Sequence, residues 1–257
     1  MKRFEDISAW CSHRRELTGA SLGFVPTMGA LHAGHEALVE ASVAQNDRTA
    51  VSIFINPTQF DQAADLAAYP KKLERDLGVL ERNGVDAVLL PSYEQLYPDD
   101  FRYQVTEGDL ATRFCGKHRP GHFDGVLTVV MRLLNIVRPD RAYFGEKDYQ
   151  QLQLVRGMVE SFFMKVEVVA CPIVRAADGL ALSSRNERLD SAQRDVAPTL
   201  HQVLQNSSSP SQAARSLRQA GFDVEYIDDF NGRRLAAVHL GDVRLIDNVP
   251  LETADAG

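Results

Sequence analysis

Up to Val174, short apolar runs alternate with longer helical segments, which predicts an α/β fold built on a parallel sheet with helices on both faces. Two further observations sharpen this expectation. Glycine-rich and polar motifs follow the strand-like runs, which is where an open parallel sheet keeps its ligand crevice. Beyond Val174 the alternation gives way to two helical segments and three short strand-like runs, predicting a small α+β lid. The expected division is a main domain over residues 1–174 and a lid over 175–257.

Taken in order, Leu22–Pro26 reads as a short buried strand closed by proline, and Glu36–Gln45 as a helix with Leu38 and Val39 inside. Thr49–Ile55 is rich in β-branched residues and reads as a strand. Lys71–Asn83 is an amphipathic helical pattern capped by Gly84, and Ala87–Leu90 a third strand. Val126–Val137 reads as a helix stopped before Pro139, Arg141–Phe144 as a strand, Tyr149–Phe163 as a helix and Val166–Ala170 as a strand. In the lid, helices are expected over Ala192–Gln205 and Ser211–Ala220, joined by the polar turn Asn206–Pro210. Strands are expected around Val224–Ile227, Leu235–Val238 and Val243–Ile246.

Composition narrows the function. The 257 residues are 44% hydrophobic and 25% charged, enough for a sizeable core without disulfides or a structural metal. Lys+Arg 28 against Asp+Glu 35 gives a net charge of −7, which argues against a nucleic-acid partner. A local cluster of cations still suits an anionic substrate. Cys11, Cys115 and Cys171 are scattered, form no C-x-x-C pair and read as reduced thiols. The N-terminal Met1–Asp6 meets acidic residues where a signal peptide would need an apolar run, and no segment is apolar for the length of a bilayer, so no membrane association and a cytoplasmic location are expected.

Four segments carry chemistry. Pro26–His35 follows the first strand and opens the first long helix; Gly29 and Gly34 admit a close ligand, and a helix N-terminus suits phosphate. His32 and His35, three apart, face the same way and can meet charge that grows as pyrophosphate leaves. The competing reading, a zinc pair, needs further ligands that this helix does not supply. Ile53–Phe60 carries the amides of Asn56 and Gln59, suited to a hydroxy acid. Phe144–Gln151 brings Lys147 as a point charge for phosphate, Asp148 for ribose hydroxyls or as an N-cap, and Gln151 on the helix's first turn. Asp178–Asn186 is a mobile-looking loop whose Arg185 offers a permanent charge. Arg119–Gly125 is a further turn, either a substrate contact or a structural turn with Asp124 as N-cap.

The ordered set P-T-M-G-A-L-H-x-G-H, I-N-P-x-Q-F, R-P-G-H-F-x-G-V, F-G-E-K-D-x-Q-Q and D-G-L-A-L-S-S-R-N resembles the pantoate–β-alanine ligase family, a branch of the H-x-G-H nucleotidyltransferase superfamily. It spans Phe24–Arg188 and continues more loosely to Leu245–Asn248. The resemblance implies a Rossmann-like domain with a small lid, ATP with Mg2+, the substrates (R)-pantoate and β-alanine, and a homodimer. It implies ATP contacts from Met28, Gly29, Ala30, Leu31, His32, Ala33, Gly34 and His35, with His35 as a proton donor. Further ATP contacts are implied for Gly145, Glu146, Lys147, Asp148, Val174, Leu182, Ser183, Ser184 and Arg185. Gln59, Gln151 and Asn56 match pantoate positions, with Gln59 shared by β-alanine, and no side chain is implied as a metal ligand. Two features depart from the family's pattern, a short lid and an Ala-rich stretch over Asp61–Ala68.

The reaction implied has two steps, adenylation of the pantoate carboxylate and transfer of the acyl group to the β-alanine amine. His32, His35, Lys147 and Arg185 would answer the growing negative charge. A nucleotidyltransferase would instead pass the nucleotide to a phosphorylated alcohol, and the paired amides Gln59 and Gln151, in place of a second basic cluster, weigh against it. A nucleotide-sensing module without turnover would have lost catalytic positions, and none is lost.

Overall fold

The computed structural model describes residues 1–251. The chain runs β1 (Lys2–Phe4), α1 (Ile7–Glu16), β2 (Leu22–Thr27), α2 (Ala33–Gln45), β3 (Arg48–Ile53), α3 (Ala63–Ala67), α4 (Leu73–Arg82), β4 (Ala87–Leu89), α5 (Tyr93–Leu96), α6 (Phe114–His118) and α7 (His122–Val137). It continues through β5 (Arg141–Gly145), α8 (Tyr149–Ser161), β6 (Glu167–Cys171), α9 (Ser191–Val196), α10 (Thr199–Asn206), α11 (Pro210–Gln219), β7 (Asp223–Phe230), β8 (Arg233–Leu240) and β9 (Val243–Pro250).

Contacts gather these elements into two compact units, Met1–Glu146 with Gln150–Cys171, and Lys147–Tyr149 with residues 172–257. The chain leaves the first unit at Cys171, where β6 ends, and Pro172 cannot donate to its ladder.

The first unit holds a six-stranded sheet in the order β1-β4-β3-β2-β5-β6, parallel throughout. Helical crossovers let parallel strands pair, and they bury both sheet faces. Consecutive residues Phe24 and Val25 of β2 are accordingly both fully buried. One face packs Val25, Val51 and Val88 against Leu38 and Val39 of α2 and Leu77 and Leu80 of α4. α7 packs on β2 and α1 on α7, where the Trp10 indole donates to the Ile136 carbonyl at 3.0 Å. Strand order reverses at β2, whose neighbours are β3 on one side and β5 on the other. Such a switch point opens a crevice beyond the carboxyl ends of the strands. β2 ends there at Thr27, β3 at Ile53 and β5 at Gly145.

In the second unit β7, β8 and β9 form an antiparallel sheet over which α10 and α11 pack, with Leu200, Leu204, Ala213 and Leu217 meeting Ala236, Val238 and Leu245. Two expectations are corrected, and two elements are new. The helix expected over Ala192–Gln205 breaks into α9 and α10 at Pro198, which has no N–H and crowds the preceding turn. α7 begins at His122 after Gly121 in the left-handed region (φ 78°), so Asp124 lies inside the first turn and is not the N-cap. β1 and α1 add an edge strand and a crossover that the polar N-terminus did not announce.

A buried ion pair anchors the small sheet. Arg175 donates to both carboxylate oxygens of Asp247, at 2.7 and 2.8 Å, and His201 Nδ1 stands 3.6 Å from the same group. Burial acts to raise the Asp247 pKa, but the His201 imidazole and the Arg175 guanidinium outweigh it and hold the carboxyl below the usual range. A depressed native pKa contributes stability that is complete above the unfolded-state value and is lost as pH falls through the folded one. Stability of the second unit should therefore fall as the solution is acidified below about pH 4. Asp247→Asn should be less stable at neutral pH and lose less stability over that acid range. Amide exchange of β8 and β9 against pH reads this; an unchanged slope in the variant would remove Asp247 as its source.

Candidate active site

The turn leaving β2 is the most constrained part of the first unit. Gly29 (φ 81°) and Ala30 (φ 51°) both lie in the left-handed region, glycine at no cost and alanine under strain. The strain is held by Asp76 of α4, which is 1% exposed: Oδ2 accepts from Ala30 N at 2.7 Å and Oδ1 from Leu31 N at 2.9 Å. Gly29 N adds a bond to Thr27 Oγ1 at 3.2 Å. The turn delivers the chain to His32, the N-cap of α2.

His32 and His35 form a capping box made of imidazoles. Gly34 N donates to His32 Nδ1 at 3.1 Å and His32 N to His35 Nδ1 at 3.4 Å. The ring centroids lie 4.1 Å apart. A Cβ at Gly34 would come within 2.9 Å of His32 Nδ1, so this glycine makes room for the imidazole. Because Nδ1 accepts in both rings, the neutral tautomer of each carries its proton on Nε2. Both rings are thereby set as Nε2–H donors, and Nδ1 of neither is disposed to bind zinc. Among the described residues no group of three His, Cys, Asp or Glu is placed to hold a metal ion.

The segment after β3 is built around Asn56, 1% exposed. Its Nδ2 donates to Gln59 Oε1 (3.0 Å) and to the Gly125 carbonyl (3.2 Å), while its Oδ1 accepts from Tyr97 OH (2.8 Å) and Thr58 Oγ1 (3.0 Å). The amide thus ties together Gln59, Thr58, Tyr97 and Gly125. Burial pushes the Tyr97 phenol above its ordinary range, which keeps it a hydroxyl donor.

The turn at Arg119–Gly125 is tied to the main chain of Gln59. Arg119 Nε donates to Asp61 at 2.7 Å and Nη1 faces His122 Nε2 at 3.2 Å. His122 Nδ1 donates to the Gln59 carbonyl at 2.7 Å, and Arg119 Nη2 adds a second donor at 3.3 Å. Burial would raise the Asp61 carboxyl, yet the Arg119 hydrogen bond and charge hold it low. Gly125 is required by close approach, since a Cβ there would sit 2.4 Å from the Thr58 carbonyl.

Gly145 and Glu146 close β5 beside β2, and Gln151 is the third residue of α8. Its neighbour Gln150 is structural, accepting from Cys115 N and donating to the carbonyls of Leu110 and Arg113. The remaining expected residues belong to the second unit. Lys147 stands 3.8 Å from Asp148. Leu182 N donates to the Val174 carbonyl at 3.0 Å, and Ser183 caps the turn at Ser184–Arg188 by accepting from Arg185 N at 3.2 Å. Val174, Leu182, Ser183, Ser184 and Arg185 are thus one local structure.

The family model described as pantoate–β-alanine ligase matches residues 1–250. The chain belongs to the pantoate–β-alanine ligase family. A pantothenate synthetase of Bdellovibrio bacteriovorus is 53% identical over 246 residues, covering 96% of each chain. A crystal structure of the pantoate–β-alanine ligase of Francisella tularensis, complexed with β-γ ATP and β-alanine, matches with a TM-score of 0.94 at 39% identity, covering 99% of both chains. The pantothenate synthetase of Thermus thermophilus matches with a TM-score of 0.88 at 41% identity, covering 97% of this chain and 99% of that one. A six-stranded parallel sheet together with a small three-stranded antiparallel one is the fold of this ligase family.

Two supports escaped the motif reading, Asp76 and Tyr97. Asp76 did leave a trace: with Leu73, Leu77 and Leu80 it falls on the apolar stripe of α4, an odd place for a carboxylate. Asp76→Ala would strand two buried backbone N–H groups, a cost of about 1–3 kcal/mol each. Denaturant unfolding should show that loss, and amide exchange at Ala30 and Leu31 should quicken. Unchanged protection at those two amides would mean that another group holds the turn.

Proposed function

We propose that this chain condenses (R)-pantoate with β-alanine, driven by ATP, and that the paired imidazoles of His32 and His35 carry the first step. The observation behind this is their geometry: two Nε2–H donors side by side at a helix N-terminus, at the switch point of a parallel sheet. Family membership across nearly the whole chain supplies the substrates.

An oxygen of the pantoate carboxylate attacks the α-phosphorus of ATP, its bond to the pyrophosphate oxygen breaks, and pantoyl adenylate forms. The β-alanine amine then attacks the acyl carbon, loses a proton, and AMP departs with the carboxylate oxygen. Adenylation is needed because a carboxylate is a poor acyl donor. The residues position groups and answer charge. His35 and His32 donate toward the phosphate oxygens, with Met28–Leu31, Ala33 and Gly34 as the surrounding main chain. Gly145, Glu146, Lys147, Asp148, Val174, Leu182, Ser183, Ser184 and Arg185 complete the ATP contacts. Gln59, held by Asn56 below and by the Arg119–His122 pair on its carbonyl, binds pantoate and β-alanine, and Gln151 binds pantoate. Asn56 lines the pantoate pocket and steadies Gln59. Mg2+, when bound with ATP, would supply positive charge against that of the triphosphate. The reading includes a cytoplasmic homodimer, as the resemblance implies; no described helix is long and apolar enough to cross a membrane.

Loss of one charge-stabilising donor typically lowers turnover on the order of 10²-fold or more. His35→Ala should slow adenylation by that much with the fold intact, read as single-turnover pyrophosphate release. Release at the wild-type rate would remove His35 from the chemistry. With ¹⁸O in the pantoate carboxylate, label should appear in AMP. Label confined to pyrophosphate would exclude attack at the α-phosphorus.

A further inference from the structure

The run Leu245–Asn248 ends the family resemblance without a share in the chemistry described so far. Asp247 and Asn248 of β9 are nearly fully buried, at 4% and 1% exposure. The Arg175 guanidinium that grips Asp247 also donates to the Gly179 carbonyl at 3.0 Å, tying down the base of the loop that carries Ser183–Arg185. Asn248 has a separate task. Its Nδ2 donates to the Lys147 carbonyl at 3.0 Å, and its Oδ1 accepts from Arg233 Nε. Arg233 also lies over the Tyr149 ring, 5.2 Å from its centroid. The turn Lys147–Tyr149 is therefore fastened to the β8–β9 pair at both ends.

We propose that Asn248 is a positioning residue for Lys147: by fixing the lysine's main-chain carbonyl, it sets where the ammonium group stands for a phosphate of ATP. This rests on the reading of Lys147 as a phosphate contact. A lysine side chain has four rotatable bonds and binds phosphate as a point charge, so its reach is defined only where its backbone is held. A buried asparagine suits the task because one amide satisfies a carbonyl on one side and a guanidinium on the other. Asp247 and Asn248 together thus set the two nucleotide-facing segments of the second unit, the loop and the lysine turn.

Asn248→Asp is a near-isosteric probe. It keeps the acceptor for Arg233 and replaces the donor to Lys147 with an oxygen that repels the carbonyl. Asn248→Ser, neutral and smaller, supplies the same measurement should the carboxylate prevent folding. The expected result is a loss in kcat/KM for ATP on the order of tenfold, the value of one hydrogen bond. The KM for β-alanine should be unchanged. In a Lys147→Ala background the same substitution should add no further loss, because the two act as one unit. An equal loss in both backgrounds would overturn the proposal, since Asn248 would then act through general structure. Wild-type kinetics for Asn248→Asp beside an impaired Lys147→Ala would overturn it alone. Wild-type kinetics for Lys147→Ala itself would overturn the reading of Lys147 and this proposal with it.

Discussion

Asp76 accepts the main-chain N–H groups of Ala30 and Leu31, and the reactive end of the first unit is organised around that pair of bonds. A chain leaving β2 would ordinarily avoid two successive residues in the left-handed region. A buried carboxylate makes the conformation favourable because it satisfies two donors that water cannot reach. The turn then fixes where α2 begins, and the start of α2 fixes which nitrogen of each histidine faces the backbone. Orientation and tautomer of the imidazoles thus descend from a residue on a different helix, 41 positions or more along the chain from either of them.

The same logic recurs elsewhere. Gln59 is held through its side chain by Asn56 and through its carbonyl by His122, which is itself steadied by Arg119 and Asp61. Asp247 and Arg175 hold the loop that leads to Arg185. In both cases partners from distant segments help to hold a polar group in place. Such groups are costly when partly satisfied and rigid when fully satisfied, which suits a reaction whose demands are chiefly positional.

The alternating apolar runs made the parallel sheet legible, because crossovers bury both faces and leave strands such as Leu22–Thr27 without polar gaps. The motifs were legible because strand ends followed by glycine and helix starts have few other uses. What escaped had weak local signals. β1 is three residues long and begins Lys2-Arg3, with its partner β4 more than eighty positions away. The break at Pro198 was masked by helical residues on both sides. The bonds of Asn56 to Tyr97 and Gly125 were likewise invisible, because both partners come from distant segments. Sequence reports what a side chain offers, whereas its partners are set by tertiary structure.

The grouping of Lys147–Tyr149 with residues 172–257 carries a practical corollary. The polypeptide passes between the units at Glu146–Lys147, Tyr149–Gln150 and Cys171–Pro172, so the second unit is not one contiguous stretch. A gene cut at residue 171 would yield a C-terminal fragment lacking the partner of Asn248 and the ring beneath Arg233. An autonomous version would need a circular permutation or a grafted tripeptide to supply them.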